Sequence, residues 1–130
     1  MEILSNISLI LNPTTFGLIL GSTIVGVLIG ALPGLSSGMA IALLLPFTIY
    51  LEPSQAIAAM AALYCGGTFG GSITAILINA PGAPPAAATA FDGFPMAQKG
   101  QAGKALGMAA VSSVVGGIIS LIVLIICLLY

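Results

Sequence analysis

The sequence predicts an all-α integral membrane protein: a polytopic bundle whose helices are broken, as discontinuous or hairpin helices, at Pro-Gly points. Three observations lead there. The chain has 130 residues, 59% of them hydrophobic and only 4% charged, with a mean hydropathy of +1.25. A soluble domain carries about 25% charged residues because its surface must be solvated; Glu2, Glu52, Asp92, Lys99 and Lys104 cannot do this for a globule of such size. Apolar runs long enough to span a bilayer recur along the chain. Finally, 17 Gly and 8 Pro punctuate these runs. Lipid tolerates such breaks only where the freed backbone groups are buried in protein or line a wet cavity.

Asn12-Pro13-Thr14-Thr15 reads as a turn and cap, with Pro stopping what precedes it and Thr capping the next helix. Phe16 to Leu32 is a first span, in which Gly17/Gly21 and Gly26/Gly30 form small-xxx-small pairs suited to close helix contact. Leu32-Pro33-Gly34-Leu35-Ser36-Ser37-Gly38 interrupts it. A helix from Met39 to about Leu51 reaches only ~20 Å, short of the ~30 Å hydrocarbon core, and reads as half of a broken helix or as one extending back through the serines. Glu52-Pro53-Ser54-Gln55 is a polar turn with Ser54 as N-cap of an Ala-rich helix beginning near Ala56.

That helix meets Cys65-Gly66-Gly67-Thr68-Phe69-Gly70-Gly71-Ser72, where four Gly in six residues predict an interruption. Ile73 to Asn79 resumes an apolar run, and Ala80-Pro81-Gly82-Ala83-Pro84-Pro85 breaks it again. Ala86 to Met96 is a half-helix, with Asp92-Gly93-Phe94-Pro95 read as a turn. Residues 98–104 form a polar loop carrying both Lys, cytoplasmic by the positive-inside rule. Ala105 to Tyr130 is a last span of ~39 Å. The whole of 1–130 is a single membrane domain.

Several classes are excluded. Two Lys and no Arg cannot displace the counterions of a nucleic acid. Cys65 and Cys127 lie in apolar runs without metal or redox spacing, and there is no His. No metal site is expected beyond one for a monovalent cation, and no cofactor. No nucleophile–base pair marks an enzyme. The start MEILSN lacks the positive region of a signal peptide.

Two clusters are candidate sites. Around Gly71, the hydroxyls of Thr68, Ser72 and Thr74 and the amide of Asn79, with Gly82 in the next break, can complete a site for Na⁺ or a carboxylate on exposed backbone. The alternative is that the hydroxyls bond back to their own helix and the glycines serve close packing. At the earlier break, Gly34, Ser36 and Ser37 precede a helix start whose N–H groups favour an anion; the alternative is a kink with an ordinary N-cap. Asp92 is expected to be an interfacial cap or the partner of Lys99.

Gly30-Ala31-Leu32-Pro33-Gly34-Leu35-Ser36 resembles the first signature of the large membrane subunit of tripartite tricarboxylate transporters. Gly70-Gly71-Ser72-Ile73-Thr74-Ala75-Ile76-Leu77, then Asn79, Pro81-Gly82, Ala90-Phe91-Asp92-Gly93-Phe94-Pro95-Met96-Ala97 and Lys99-Gly100-Gln101-Ala102-Gly103 resemble the second. The resemblance implies a multi-pass subunit of the bacterial inner membrane that imports tricarboxylates or related organic carboxylates by symport with Na⁺ or H⁺. Its implied partners are membrane lipid, a small membrane subunit and a periplasmic solute-binding protein. The family's subunit is several times longer and has two related halves, so the chain corresponds to the N-terminal part of the first half. A non-transporting assembly module or gene remnant is the competing expectation.

Overall fold

The computed structural model describes residues 12–130; the MEILSN reading lies outside them. The described residues are helical, with no strand among them. α1 spans Pro13–Gly30, α2 Ser37–Leu44 and a 3₁₀ turn Leu45–Tyr50; α3 spans Pro53–Ile78, α4 Ala86–Gln98 and α5 Ala102–Leu129. α1, α3 and α5 are long and apolar enough to cross a membrane. At 1.5 Å per residue they measure ~27, ~39 and ~42 Å.

Both proline-initiated helices start earlier than the sequence suggests. α1 opens with Pro13 in its first turn behind Asn12, and α3 with Pro53 behind Glu52, neither helped by a side-chain cap. Pro has no N–H to leave unpaired and its fixed φ is already helical, so it suits the first turn of both helices. Neither Thr14/Thr15 nor Ser54 is the predicted cap. Thr15 is instead buried and accepts a hydrogen bond from Gln55 Nε2 at 3.3 Å, joining the starts of α1 and α3.

The largest correction falls at Gly66–Gly71. No interruption exists there: α3 is continuous through all four glycines, which are buried. Gly66, Gly67 and Gly70 form the face on which α1 lies, while Gly71 faces Gly82 and Ala83. A Cβ at Gly66 would stand 2.5 Å from the Thr23 carbonyl oxygen, while one at Gly70 would overlap the Val27 carbonyl. The contact is reciprocal, since a Cβ at Gly26 would strike Leu63 and one at Gly30 would strike Gly67. Glycine weakens an isolated helix by about 1 kcal/mol per residue. Backbone-to-backbone packing in lipid reverses that preference, because small residues are what admit such an approach.

These pairings fix direction. Thr15 meets Gln55 and Gly30 meets Gly67, so α1 and α3 run parallel. The chain must therefore return between them. It does so through α2 and the 3₁₀ turn, which carry Pro46 and replace the uniform Met39–Leu51 helix expected.

After Ile78 the backbone turns at Asn79, left-handed at φ 55°. The segment 80–85 then doubles back down α3. Gly82 and Ala83 lie against Gly71, and α4 climbs from there in the same direction as α3, bringing Gly93 against Ile76. Asp92-Gly93-Phe94-Pro95 belongs to α4, with Pro95 inside the helix, so the expected turn is absent. Asp92 caps nothing; it stands in the helix interior, nearly two turns before Lys99. The polar loop narrows to Lys99–Gln101, and Lys104 sits on the first turn of α5. α5 then runs back down, and every residue from Val111 onward is exposed. A helix apolar all round belongs in lipid or against further protein.

Candidate functional site

The two Pro-Gly breaks are present as predicted, and they meet. α1 ends at Gly30, and Ala31 to Ser36 turn the chain, Gly34 with a positive φ of 94° that a side chain would strain. Ser36 caps α2, its Oγ accepting a hydrogen bond from Met39 N–H at 3.3 Å. Ser37 is buried, and a Cβ at Gly67 would approach its Cβ to 2.9 Å. From the other break, a Cβ at Gly82 would stand 2.5 Å from the Gly30 carbonyl oxygen and 3.2 Å from Gly71 Cα. Gly67 and Gly71 are one turn apart, ~6 Å along α3. The starts of α2 and α4 thus converge on one stretch of α3, beginning ~21 Å from its N-terminus.

Part of each helix start is already satisfied: Met39 N–H by Ser36 Oγ in α2, and Ala86 and Ala87 N–H by the Ala83 and Pro84 carbonyls in α4. What each start keeps is about half a unit of positive charge. No Lys or Arg lies in either break. What these residues themselves offer an anion is N–H groups and hydroxyls.

The other predicted residues divide. Thr68 and Ser72 donate to the Tyr64 and Thr68 carbonyls at 2.9 and 3.5 Å, and Thr74 donates to Gly71 at 3.1 Å. All three hydroxyls thus bond back to carbonyls of their own helix. Their lone pairs stay free. Asn79 lies away from the junction, exposed at the end of α3, where its conformation turns the chain toward the second break and Ala80 N–H reaches Thr74 O at 3.4 Å. Gly71 and Gly82 are brought into contact, with Ser37 one turn away on Gly67; Gly34 stays exposed with nothing within 4 Å of a Cβ, and Asn79 lies apart at the end of α3.

Ser72 opens instead on a second feature. A cleft of about 530 Å³ between α3, α4 and α5 is lined by Ser72, Thr89, Asp92, Ser112 and Ser113. Sequence reasoning missed this grouping. Its available signals were one acid within an apolar stretch and a Ser pair within the last span. Among the described residues no group of three His, Cys, Asp or Glu side chains is placed to hold a metal ion.

No solved structure matches the chain. An uncharacterized 52.8 kDa protein in the TAR-I ttuC′ 3′ region of Agrobacterium vitis is 40% identical over 128 residues, covering 95% of this chain and 26% of that protein. The chain therefore spans about a quarter of that relative's length. The model of the tripartite tricarboxylate transporter TctA family matches residues 16–130. With both signatures and both breaks inside the match, the chain is a multi-pass membrane protein and belongs to the tripartite tricarboxylate transporter TctA family.

Proposed function

We propose that the chain is part of the membrane subunit of a binding-protein-dependent secondary transporter, importing tricarboxylates or related organic carboxylates by cation symport. The observation that carries this is the convergence of the starts of α2 and α4 on Gly67–Gly71, well inside the span of α3. Paired half-helix starts at membrane depth are a means by which secondary transporters bind anionic groups. Gly34, Ser36 and Ser37 form one lip of the carboxylate seat, and Gly71 and Gly82 the other. Thr68, Ser72 and Thr74 offer lone pairs from α3, while Asn79 shapes the second break. A multiply charged carboxylate in a seat without Arg needs a co-bound cation, which supports symport over uniport.

In this reading the chain does no covalent chemistry. A small membrane subunit and a periplasmic solute-binding protein complete the system in the bacterial inner membrane. The Lys of residues 98–104 put that loop in the cytoplasm. The ends of α3 and α4 then face inward, and Asn12 and Glu52 outward.

The test is uptake of a labelled tricarboxylate by cells carrying the complete system. Ser36→Ala, Ser72→Ala and Asn79→Ala are each expected to lower uptake several-fold while the subunit still inserts in the membrane. Unchanged uptake kinetics in all three would remove the seat.

A further inference from the structure

We propose that the cleft between α3, α4 and α5 binds a single monovalent metal cation, Na⁺ in the first instance, with Asp92 as its charged ligand. The inference deepens the symport reading and rests on it for the ion's role, though the site itself stands on its own geometry.

Four hydroxyls and one carboxylate line the cleft, drawn from three helices: Ser72 from α3, Thr89 and Asp92 from α4, Ser112 and Ser113 from α5. Thr89 and Asp92 are three residues apart and so share one face of α4. Ser72 gives its proton to the Thr68 carbonyl, which leaves its oxygen lone pairs for another partner. Neither Lys99 nor Lys104 lines the cleft. Asp92 is therefore the cleft's one charged group, exposed beside Gly93, which packs on Ile76 in the last turn of α3; the rest of the lining is neutral, the hydroxyls standing among Ala and Met side chains.

An ionised carboxylate in that setting is costly unless paired. One carboxylate balances one positive charge. A divalent ion would leave an uncompensated charge in the bilayer, and transition metals prefer the imidazole and thiolate ligands that the cleft lacks. A proton needs only one acceptor and gives four surrounding hydroxyls no role. Hard oxygen donors, a single negative charge and room for several water molecules suit an alkali cation that keeps part of its hydration shell. The cleft also touches α3 at Ser72, immediately after Gly71, which is part of the anion seat. The cleft and the seat thus draw on one turn of α3.

The test is direct binding of ²²Na⁺ to the whole chain in lipid nanodiscs, which requires neither carboxylate nor partner subunits. Saturable binding, displaced by unlabelled Na⁺ and not by Mg²⁺, is expected for the unaltered chain. Asp92→Asn, close in shape, should weaken it at least about tenfold; Asp92→Glu should restore part of it; Ser113→Ala should lower it less. Ser36→Ala, in the anion seat, should bind Na⁺ normally. Asp92→Asn binding Na⁺ as tightly as the unaltered chain overturns the proposal, as does preference for Mg²⁺ or the absence of saturable binding. Failure of the carboxylate seat would look different: Na⁺ binding would persist while the Ser36 and Asn79 variants transported normally.

Discussion

Asn79 shows how much one backbone conformation controls. It sits at φ 55°, ψ 30°, and its turn sends the chain back down α3 to place Gly82 against Gly30. Asn tolerates the left-handed region because its short amide bonds locally, whereas a Cβ-bearing residue without that amide is strained by about 1–2 kcal/mol. Asn79→Gly is therefore expected to keep thermal stability in detergent close to the parent's. Asn79→Ala should lower stability by ~1 kcal/mol, and a β-branched Asn79→Val by more. Equal melting of all three would show that the turn does not depend on this residue. Ser36 works on a smaller margin, its Oγ satisfying one orphan N–H of α2 at 3.3 Å. Asp92 differs from both, because its role comes from what α3 and α5 bring to it and not from its neighbours in sequence.

Between helices, the glycines divide into those that touch and those that do not. Gly26, Gly30, Gly66 and Gly70 meet backbone across the α1–α3 contact, while Gly17 and Gly21 have nothing within 4 Å. The sequence treats these sets alike, since Gly17/Gly21 and Gly26/Gly30 have the same spacing. Gly30→Ala is predicted to destabilise by about 1–3 kcal/mol through overpacking against Gly67. Gly17→Ala should be neutral or slightly stabilising, because Ala is the better helix former. Chemical denaturation of the two variants in mixed micelles checks the pair, and equal losses would contradict the interface. This is also where reading from sequence alone reached its limit. The breaks at Pro33 and Pro81 were legible because Pro removes a donor and clashes with the preceding turn wherever it sits within a helix. Gly66–Gly71 was misread because glycine's local penalty argues for a break and only the partner helix, distant in sequence, reverses it. The Asp92 cleft was equally illegible, since Ser72, Asp92 and Ser112 share a site only once α4 has doubled back along α3.

For the molecule as a whole, the parallel pair α1 and α3 forms a scaffold, and each member is followed by a Pro-Gly break and a shorter helix. The two breaks close on the same turn of α3, and the exposed length of α5 leaves apolar surface for lipid or further protein. In the proposed reading, a carboxylate seat with its own positive field and a neighbouring cleft that holds one carboxylate would be two linked sites of opposite charge preference within one bundle. In a membrane protein that arrangement is only stable where water reaches it, which separates a transport path from a merely kinked span. The account therefore depends on water and carboxylate reaching the first break. The direct measurement is the reactivity of Ser36→Cys, with Cys65 and Cys127 replaced by Ala, toward a charged thiol reagent in membrane vesicles carrying the complete system. A cysteine at position 36 is predicted to react, and a saturating tricarboxylate to protect it, while Leu28→Cys on the exposed face of α1 stays inert. An unreactive Ser36→Cys, or one that reacts at the same rate with and without the carboxylate, would contradict the account.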